Sequence, residues 1–390
     1  MKTEDLMDAM DHIDPDMIGN ALQSREKKTF QWKTVLIPAM ALALVFAFIS
    51  VNRNNADIIS DPEDPVPDTE HENTETAALK ELHIAREMGT EGMGFEGEIL
   101  PADTEPDFSG CDDTIAEMPV LYRDLPAVQG YLKRTDTKQM ESVLYQLAGL
   151  FKENVQRMER SYMANGGIES ITAYTETMMI VMDSDETAAC FFKEPVLLEE
   201  GYSIDYDAEP AEAVRTMQYL LDVFGDVISF RNPVFDPGLT YDYSGASHVQ
   251  YFIREGEGNG TEQRLAQLFD RVQFGGTGNK VDLLRIWAKP DDVKELGMYP
   301  VITADEAVKL YMEGVYRTTH AQGLGKHILR AELVYYSSRY EPLIMPYYRF
   351  LVELEDMEAA DGFVNTAAVY VPAVDPAYYR FDVSSEMPFN

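Results

Sequence analysis

The sequence predicts an α+β protein: a single N-terminal transmembrane helix, an acidic stalk, and an extracytoplasmic body that mixes helices with antiparallel strands. Three observations predict this class. Residues 34–51, TVLIPAMALALVFAFISV, contain no charged side chain. The stretch that follows, NRNNADIISDPEDPVPDTEHENTETAALKE, is rich in Asp, Glu, Pro and Thr and poor in large apolar residues. Beyond it, apolar residues recur with the helical period in some segments and the strand period in others, without the regular repeat of a doubly wound sheet.

The apolar run is hydrophobic all the way round, as a helix meeting lipid on every side must be. Its eighteen residues reach about 27 Å, close to the hydrocarbon thickness of a bilayer. Arg25, Lys27, Lys28 and Lys33 precede it, and Arg53 and then Asp57, Asp61, Glu63 and Asp64 follow, so the positive-inside rule puts residues 1–33 in the cytoplasm and the rest outside. A cleaved signal would begin nearer the terminus and end in small residues, whereas Phe46, Phe48 and Ile49 stand at the exit. Pro38, one turn in, is tolerated in a membrane helix. Residues 34–51 are thus expected to be the contact with the lipid bilayer.

Residues 1–33 form a head in which Leu6, Met10 and Ile13 lie at helical spacing, followed by Asp14 as N-cap, Pro15 as first helical residue, and Ile18 and Leu22 on a second turn. So short an apolar stripe makes no core of its own. A protein partner is the preferred cover, because Asp8, Asp11, Asp14 and Asp16 would be repelled by anionic lipid. The alternative is a leader that only sets topology. Residues 52–118 read as a solvated acidic spacer, since they bury too little apolar surface to offset their ordering entropy.

Residues 119–298 are expected to form one α+β region. Met140, Val143, Leu144, Leu147, Leu150 and Phe151 make one helical stripe, and ITAYTETMMIVMD reads as a strand. Pro210 opens a second helix that ends near Gly225. Strand-like DVISFRNPVF and HVQYFIR, the short helix TEQRLAQLFDRV and the strand VDLLRIWA follow. Residues 299–390 form a C-terminal region. Thr303 and Glu306 make a T-x-x-E capping box for a helix with Ala307, Leu310 and Val315 inward, and LRAELVYYSS, PYYRFLVELE and FVNTAAVYVPAV suggest a three-stranded meander packed on it. Alternation sends one member of each Tyr-Tyr pair away from the helix, so Tyr335, Tyr336, Tyr347 and Tyr348 supply a candidate partner-binding surface; tyrosines on a half-solvated sheet without a partner are the alternative.

The net charge of -36 excludes nucleic acid as a direct partner, because two polyanions repel. Two cysteines exclude a disulfide-framed scaffold, and stability must come from an apolar core. Cys111 and Cys190 leave a single bridge open. No H-x-x-x-H or H-E-x-x-H pattern occurs, so no metal site and no cofactor is expected. FGGTGNK, at 274–280, lacks the phosphate-loop pattern and reads as a hairpin turn; YSGASH, at 243–248, lacks a nucleophile elbow. No catalytic residue is identified and the chain reads as a non-enzyme, a binding or regulatory protein; an envelope hydrolase with an unrecognised site is the alternative.

YPVITADEAVKLYMEGVY followed by ELVYY, PYYRFLVEL and YVPAV resembles the C-terminal portion of uncharacterised clostridial single-span membrane-anchored proteins, and more remotely YycH/YycI-type extracytoplasmic regulatory proteins. The head, with LMDAMDHIDPDMIGNA, is similar to short leaders of Firmicutes membrane proteins, including some anti-sigma-like ones. The resemblance implies a cell-envelope regulator that meets a protein partner in the cytoplasm or the envelope, and brings no catalytic residues with it.

Overall fold

The structure is a computed structural model that describes residues 79–382 apart from 87, 89–95, 126, 129–130, 133–136, 165, 185–186, 257–259, 288–291, 321 and 339–340. In chain order the elements are β1 (Leu82–Ala85), β2 (Ile99–Pro101), β3 (Asp107–Gly110), β4 (Glu117–Arg123), β5 (Ala127–Val128), β6 (Tyr131–Leu132), α1 (Lys138–Leu150), β7 (Arg157–Tyr162), β8 (Ile168–Tyr174), β9 (Met178–Asp183) and β10 (Thr187–Leu197). Next come α2 (Pro210–Val223), β11 (Pro233–Asp236), β12 (Thr240–Tyr241), β13 (Ser247–His248), β14 (Tyr251–Glu255), α3 (Gly260–Leu268), β15 (Arg271–Thr277), β16 (Lys280–Trp287) and β17 (Val293–Pro300). The chain closes with α4 (Ala304–Met312), β18 (Arg317–Thr318), β19 (Leu324–Ser338), β20 (Glu341–Leu354), β21 (Phe363–Pro372) and β22 (Tyr379–Asp382).

This is a strand-dominated body built on two eight-stranded sheets, and it corrects the α+β class expected from the sequence. The α+β reading failed because several segments carry more strand than their patterns suggested. ITAYTETMMIVMD is a hairpin, β8 and β9, closed at Thr175 and Met178. The expected spacer also ends early: β1, β2, β3 and the start of β4 lie within 79–118, and Leu82 and Ile84 are fully buried. Among the described residues no helix is long and apolar enough to cross a membrane. Residues 34–51, expected to cross the membrane, and the head with Leu6, Met10, Ile13, Ile18 and Leu22 lie outside the described residues.

The first sheet runs β11-β14-β15-β16-β10-β9-β8-β7, antiparallel throughout. Strand alternation sends Ile171, Ala173, Ile180, Met182, Ala188, Cys190, Leu284, Phe274, Val272 and Ile253 to one face, where they meet Met140, Leu144 and Leu147 of α1 and Ala213, Met217 and Leu220 of α2. The α1 residues belong to the stripe read from the sequence, and Pro210 opens α2 as its first residue. FGGTGNK spans the β15–β16 turn. Gly278 has φ +59, and a Cβ on Gly276 would stand 1.9 Å from the Lys280 carbonyl oxygen, so the glycines serve a tight hairpin.

The second sheet runs β17-β4-β20-β19-β3, with β21 paired to β20, β2 and β18. Its centre is β19-β20-β21, antiparallel in chain order. β20 pairs with β4 through Leu343 and Ile344 and with β21 from Tyr347 onward. Pro346, which has no N–H to donate, stands where the partner strand changes, a place where the missing donor costs least. One face packs on α4 through Ala304, Ala307 and Tyr311, the other on β1 and the C-terminal strand through Leu82, Ile84 and Tyr379. β1 and β22 pair in parallel, Leu82 opposite Tyr379 and Ala85 opposite Asp382. The capping box at α4 is formed in both directions: Glu306 N–H donates to Thr303 Oγ1 at 3.3 Å and Thr303 N–H to Glu306 Oε2 at 2.9 Å.

Candidate functional site

Of the four tyrosines expected at a surface, Tyr335, Tyr347 and Tyr348 are placed inside and Tyr336 is half-buried. Tyr335 and Tyr348 point to the α4 side and Tyr336 and Tyr347 to the β1 side, so neighbours do alternate. Both sides of the sheet are covered, however, and Tyr335, Tyr347 and Tyr348 are each at most 5% exposed. Their hydroxyls are bonded internally. Tyr335 donates to the Pro119 carbonyl at 2.8 Å and Tyr348 to the Ile302 carbonyl at 2.9 Å, while Tyr347 accepts from Arg317 at 3.0 Å. Burial pushes the Tyr347 phenol up to about 12 and the other three upward as well. The surface expected from these residues is absent because α4 and β1 with β22 cover the two faces, which strand periodicity alone does not reveal.

The other candidates from the sequence are also resolved. Cys111 and Cys190 are free thiols, the first against the core beside α4 and the second under α1 and α2. In YSGASH, Asp242 takes both neighbours: Ser244 Oγ donates to it at 2.6 Å and His248 Nε2 lies 3.0 Å from its other oxygen. Serine and histidine thus bind one carboxylate rather than each other, which closes the β12–β13 turn and leaves Ser244 without a base aimed at it. His327 faces Glu353 at 3.2 Å. Among the described residues no group of three or more His, Cys, Asp or Glu is placed to hold a metal ion.

What the sequence did not single out is the second face of the first sheet. Across its strands the register lines up three rows that point away from α1 and α2. The first is Tyr174, Met179, Phe191 and Leu283; the second is Thr172, Val181, Ala189, Arg285, Gln273 and Phe252; the third includes Trp287, Arg271 and Arg254. Phe191 is 38% exposed, and Met179, Leu283, Phe252, Trp287 and the three arginines are half-buried.

The arginines define the chemistry here. Arg254 and Arg271 are direct cross-strand partners, and Arg271 is in turn opposite Trp287. The Arg271 guanidinium lies 4.3 Å from the Trp287 ring centre and 5.6 Å from that of Phe252, and Arg285 lies 5.6 Å from Trp287. Arg285 donates to Gln273 at 3.3 Å. Elsewhere arginines are matched to carboxylates, as in Arg123 with Asp292, Arg330 with Glu98 and Arg349 with Glu332. Among the described residues, Arg254, Arg271 and Arg285 form no ion pair, and the buried Nε of Arg254 and of Arg271 has no hydrogen-bond acceptor. Burial lowers the Arg271 pKa, and the field of Asp236 opposes that while those of Arg285 and Arg349 add to it. The arrangement can hold an anion: three cations without an ion pair among the described residues, two of them, Arg271 and Arg285, packed on aromatic rings. Each arginine stands beside an inward apolar residue, Ile253, Val272 or Ile286, and that outward strand phase was the one sequence signal for them.

The site and fold define a strand-rich, two-sheet protein with an arginine–aromatic face. No protein-family model and no curated protein matches the chain. A solved structure described as an uncharacterized protein from Eubacterium rectale ATCC 33656 is similar at 10% identity over 69% of this chain and 86% of that one, with a TM-score of 0.33. So weak a likeness carries no argument about fold or function.

Proposed function

We propose that this chain is a non-enzymatic binding protein of the bacterial cell envelope, with regulatory rather than chemical work to do, and that its partner docks on the second face of the first sheet. One observation carries this: Arg254 and Arg271 oppose each other across β14 and β15 beside Trp287, with no carboxylate among the described residues paired to either. Like charges directly opposite destabilise a sheet, and a bound anion reverses that sign. The apolar row of Met179, Phe191 and Leu283 on the same face adds contact area. The partner chemistry favoured is protein, with nucleic acid disfavoured by the net charge of -36. Export of the body is supported by the change from Arg25, Lys27, Lys28 and Lys33 to Asp57, Asp61, Glu63 and Asp64 across residues 34–51. The head residues Leu6, Met10, Ile13, Ile18 and Leu22 remain a proposed second contact, for a cytoplasmic partner.

Site-specific photo-crosslinking tests the docking face in the full chain in its host. A crosslinker at Phe191 or Leu283 is expected to yield one adduct of the same mass from both positions, and none at Met312, exposed on α4. Adducts at Met312 but not at Phe191 or Leu283 would refute the assignment of this face.

A further inference from the structure

Resting on that docking face, we infer that the Arg254, Arg271 and Arg285 cluster is an oxyanion-recognition site whose ligand is an extended acidic peptide carrying apolar side chains among its carboxylates. The argument begins with charge. The chain has 68 acidic and 32 basic residues, so a carboxylate is the commonest neighbour any arginine could find within it. Three arginines on three adjacent strands nevertheless lack one among the described residues, and Arg349 of the second sheet adds its field to theirs at Arg271. Asp236, opposite Phe252 in the register, is the acidic side chain whose field reaches Arg271. The ensemble stays cationic.

Geometry then selects the ligand. The Arg271 guanidinium carbon lies 4.3 Å from the Trp287 ring centre and 5.6 Å from that of Phe252, contacts that restrain the group whose terminal N–H groups form its donor edge. An edge of this kind matches a carboxylate or a phosphate. The neighbouring rows decide between them. On β16, Leu283, Arg285 and Trp287 are successive residues of one face, separated by about 6.8 Å per step. Side chains at i and i+2 of an extended peptide repeat at the same distance, so a carboxylate held at Arg285, with Arg254 and Arg271 one row further on, places its next same-side neighbour in the opposite direction over Leu283, Phe191 and Met179. An apolar side chain fits there. A phosphate polymer would set charge against that apolar row and lose the contact.

The experiment uses the full chain with Trp32→Phe, which leaves Trp287 as the sole tryptophan and its fluorescence as the report of occupancy. The probes are a peptide of three Glu-Ser-Leu-Ser repeats, the same peptide with Lys for Glu, and poly(glycerol phosphate). Saturable quenching or enhancement by the Glu peptide, with none by the Lys peptide, is expected. R254Q/R271Q should weaken it roughly tenfold or more and flatten its salt dependence. R254K/R271K should keep part of it, and R215Q, on α2 at the other face, should leave it unchanged. Removing like charges should not lower the melting temperature, which separates lost binding from lost fold. Equal binding by R254Q/R271Q and the parent overturns the inference. Preference for poly(glycerol phosphate) overturns the peptide class, as does silence towards all three probes. In each of those cases crosslinking at Phe191 and Leu283 still judges the docking face independently.

Discussion

Replacing Glu341 by Ala should be among the most damaging single changes in the second sheet. The Arg317 side chain is fully enclosed and that of Glu341 is 11% exposed. Arg317 Nη1 donates to Glu341 Oε2 at 3.1 Å, Nη2 donates to Oε1, and Nη1 also reaches the Tyr347 hydroxyl at 3.0 Å. Truncation at 341 removes the carboxylate bonded to both Nη atoms of a guanidinium enclosed in the core, a change that costs about 3 to 5 kcal/mol in comparable sites. The rings of Tyr336 and Tyr347, centred 5.7 and 5.9 Å from the guanidinium carbon, stand in parent and variant alike and cancel in the comparison. The expected loss is therefore about 3 to 5 kcal/mol. Urea unfolding of the full chain, followed by circular dichroism, should show the midpoint falling with an unchanged slope. A paired change, Arg317→Met with Glu341→Leu, removes both charges and should cost much less than Glu341→Ala alone. A loss under about 1 kcal/mol for Glu341→Ala, or a double variant as unstable as the sum of the singles, would refute the reasoning.

Further outcomes are expected elsewhere in the fold. Ile84→Ala should lower stability by about 2 to 4 kcal/mol in the same urea assay, because Ile84 is fully buried beneath the second sheet; a neutral result would return residues 82–85 to the spacer. Burial raises both thiols to about 12, with Asp113 adding to the effect at Cys111, so a thiol-disulfide reagent at pH 8 should react with neither until urea unfolds the chain. Prompt modification of Cys190 in the native protein would contradict its place under α1 and α2. Hydrogen bonds from Ser244 and then His248 hold the Asp242 carboxyl well below the usual carboxylate range. Its folded-state pKa lies below the unfolded one, so it steadies the β12–β13 turn above the ordinary value of 3.8 and that support is lost as pH falls through the depressed folded value. Amide exchange at Ser244 and Ala246, whose N–H groups donate to Asp242, should stay protected through pH 4 and lose protection only in stronger acid; loss of protection already above pH 5 would refute this.

Sequence periodicity by itself determined much of the local structure. It located the stripe of α1, Pro210 at the head of α2, the Thr303 and Glu306 capping box and the glycines of the β15–β16 turn, because each depends on residues within a few positions of one another. It also showed that neighbouring tyrosines face opposite sides of a strand, since alternation belongs to the strand itself. Whether a side is covered is a different matter. The cover over Tyr336 and Tyr347 comes from Leu82, Ile84 and Tyr379, brought from the two ends of the described chain, and the cover over Tyr335 and Tyr348 comes from α4. Reading 79–118 as spacer hid one of those layers, which is why the tyrosines were expected at a surface. Membership of a sheet was equally hidden: β4 and β17 pair with each other although α1, α2 and most of the first sheet lie between them in the chain. Arg254, Arg271 and Arg285 belong to the same class of fact. Each is an unremarkable outward residue of its own strand. Only the register of β14, β15 and β16 sets them side by side against Trp287, because strand pairing joins residues that local patterns treat as unrelated.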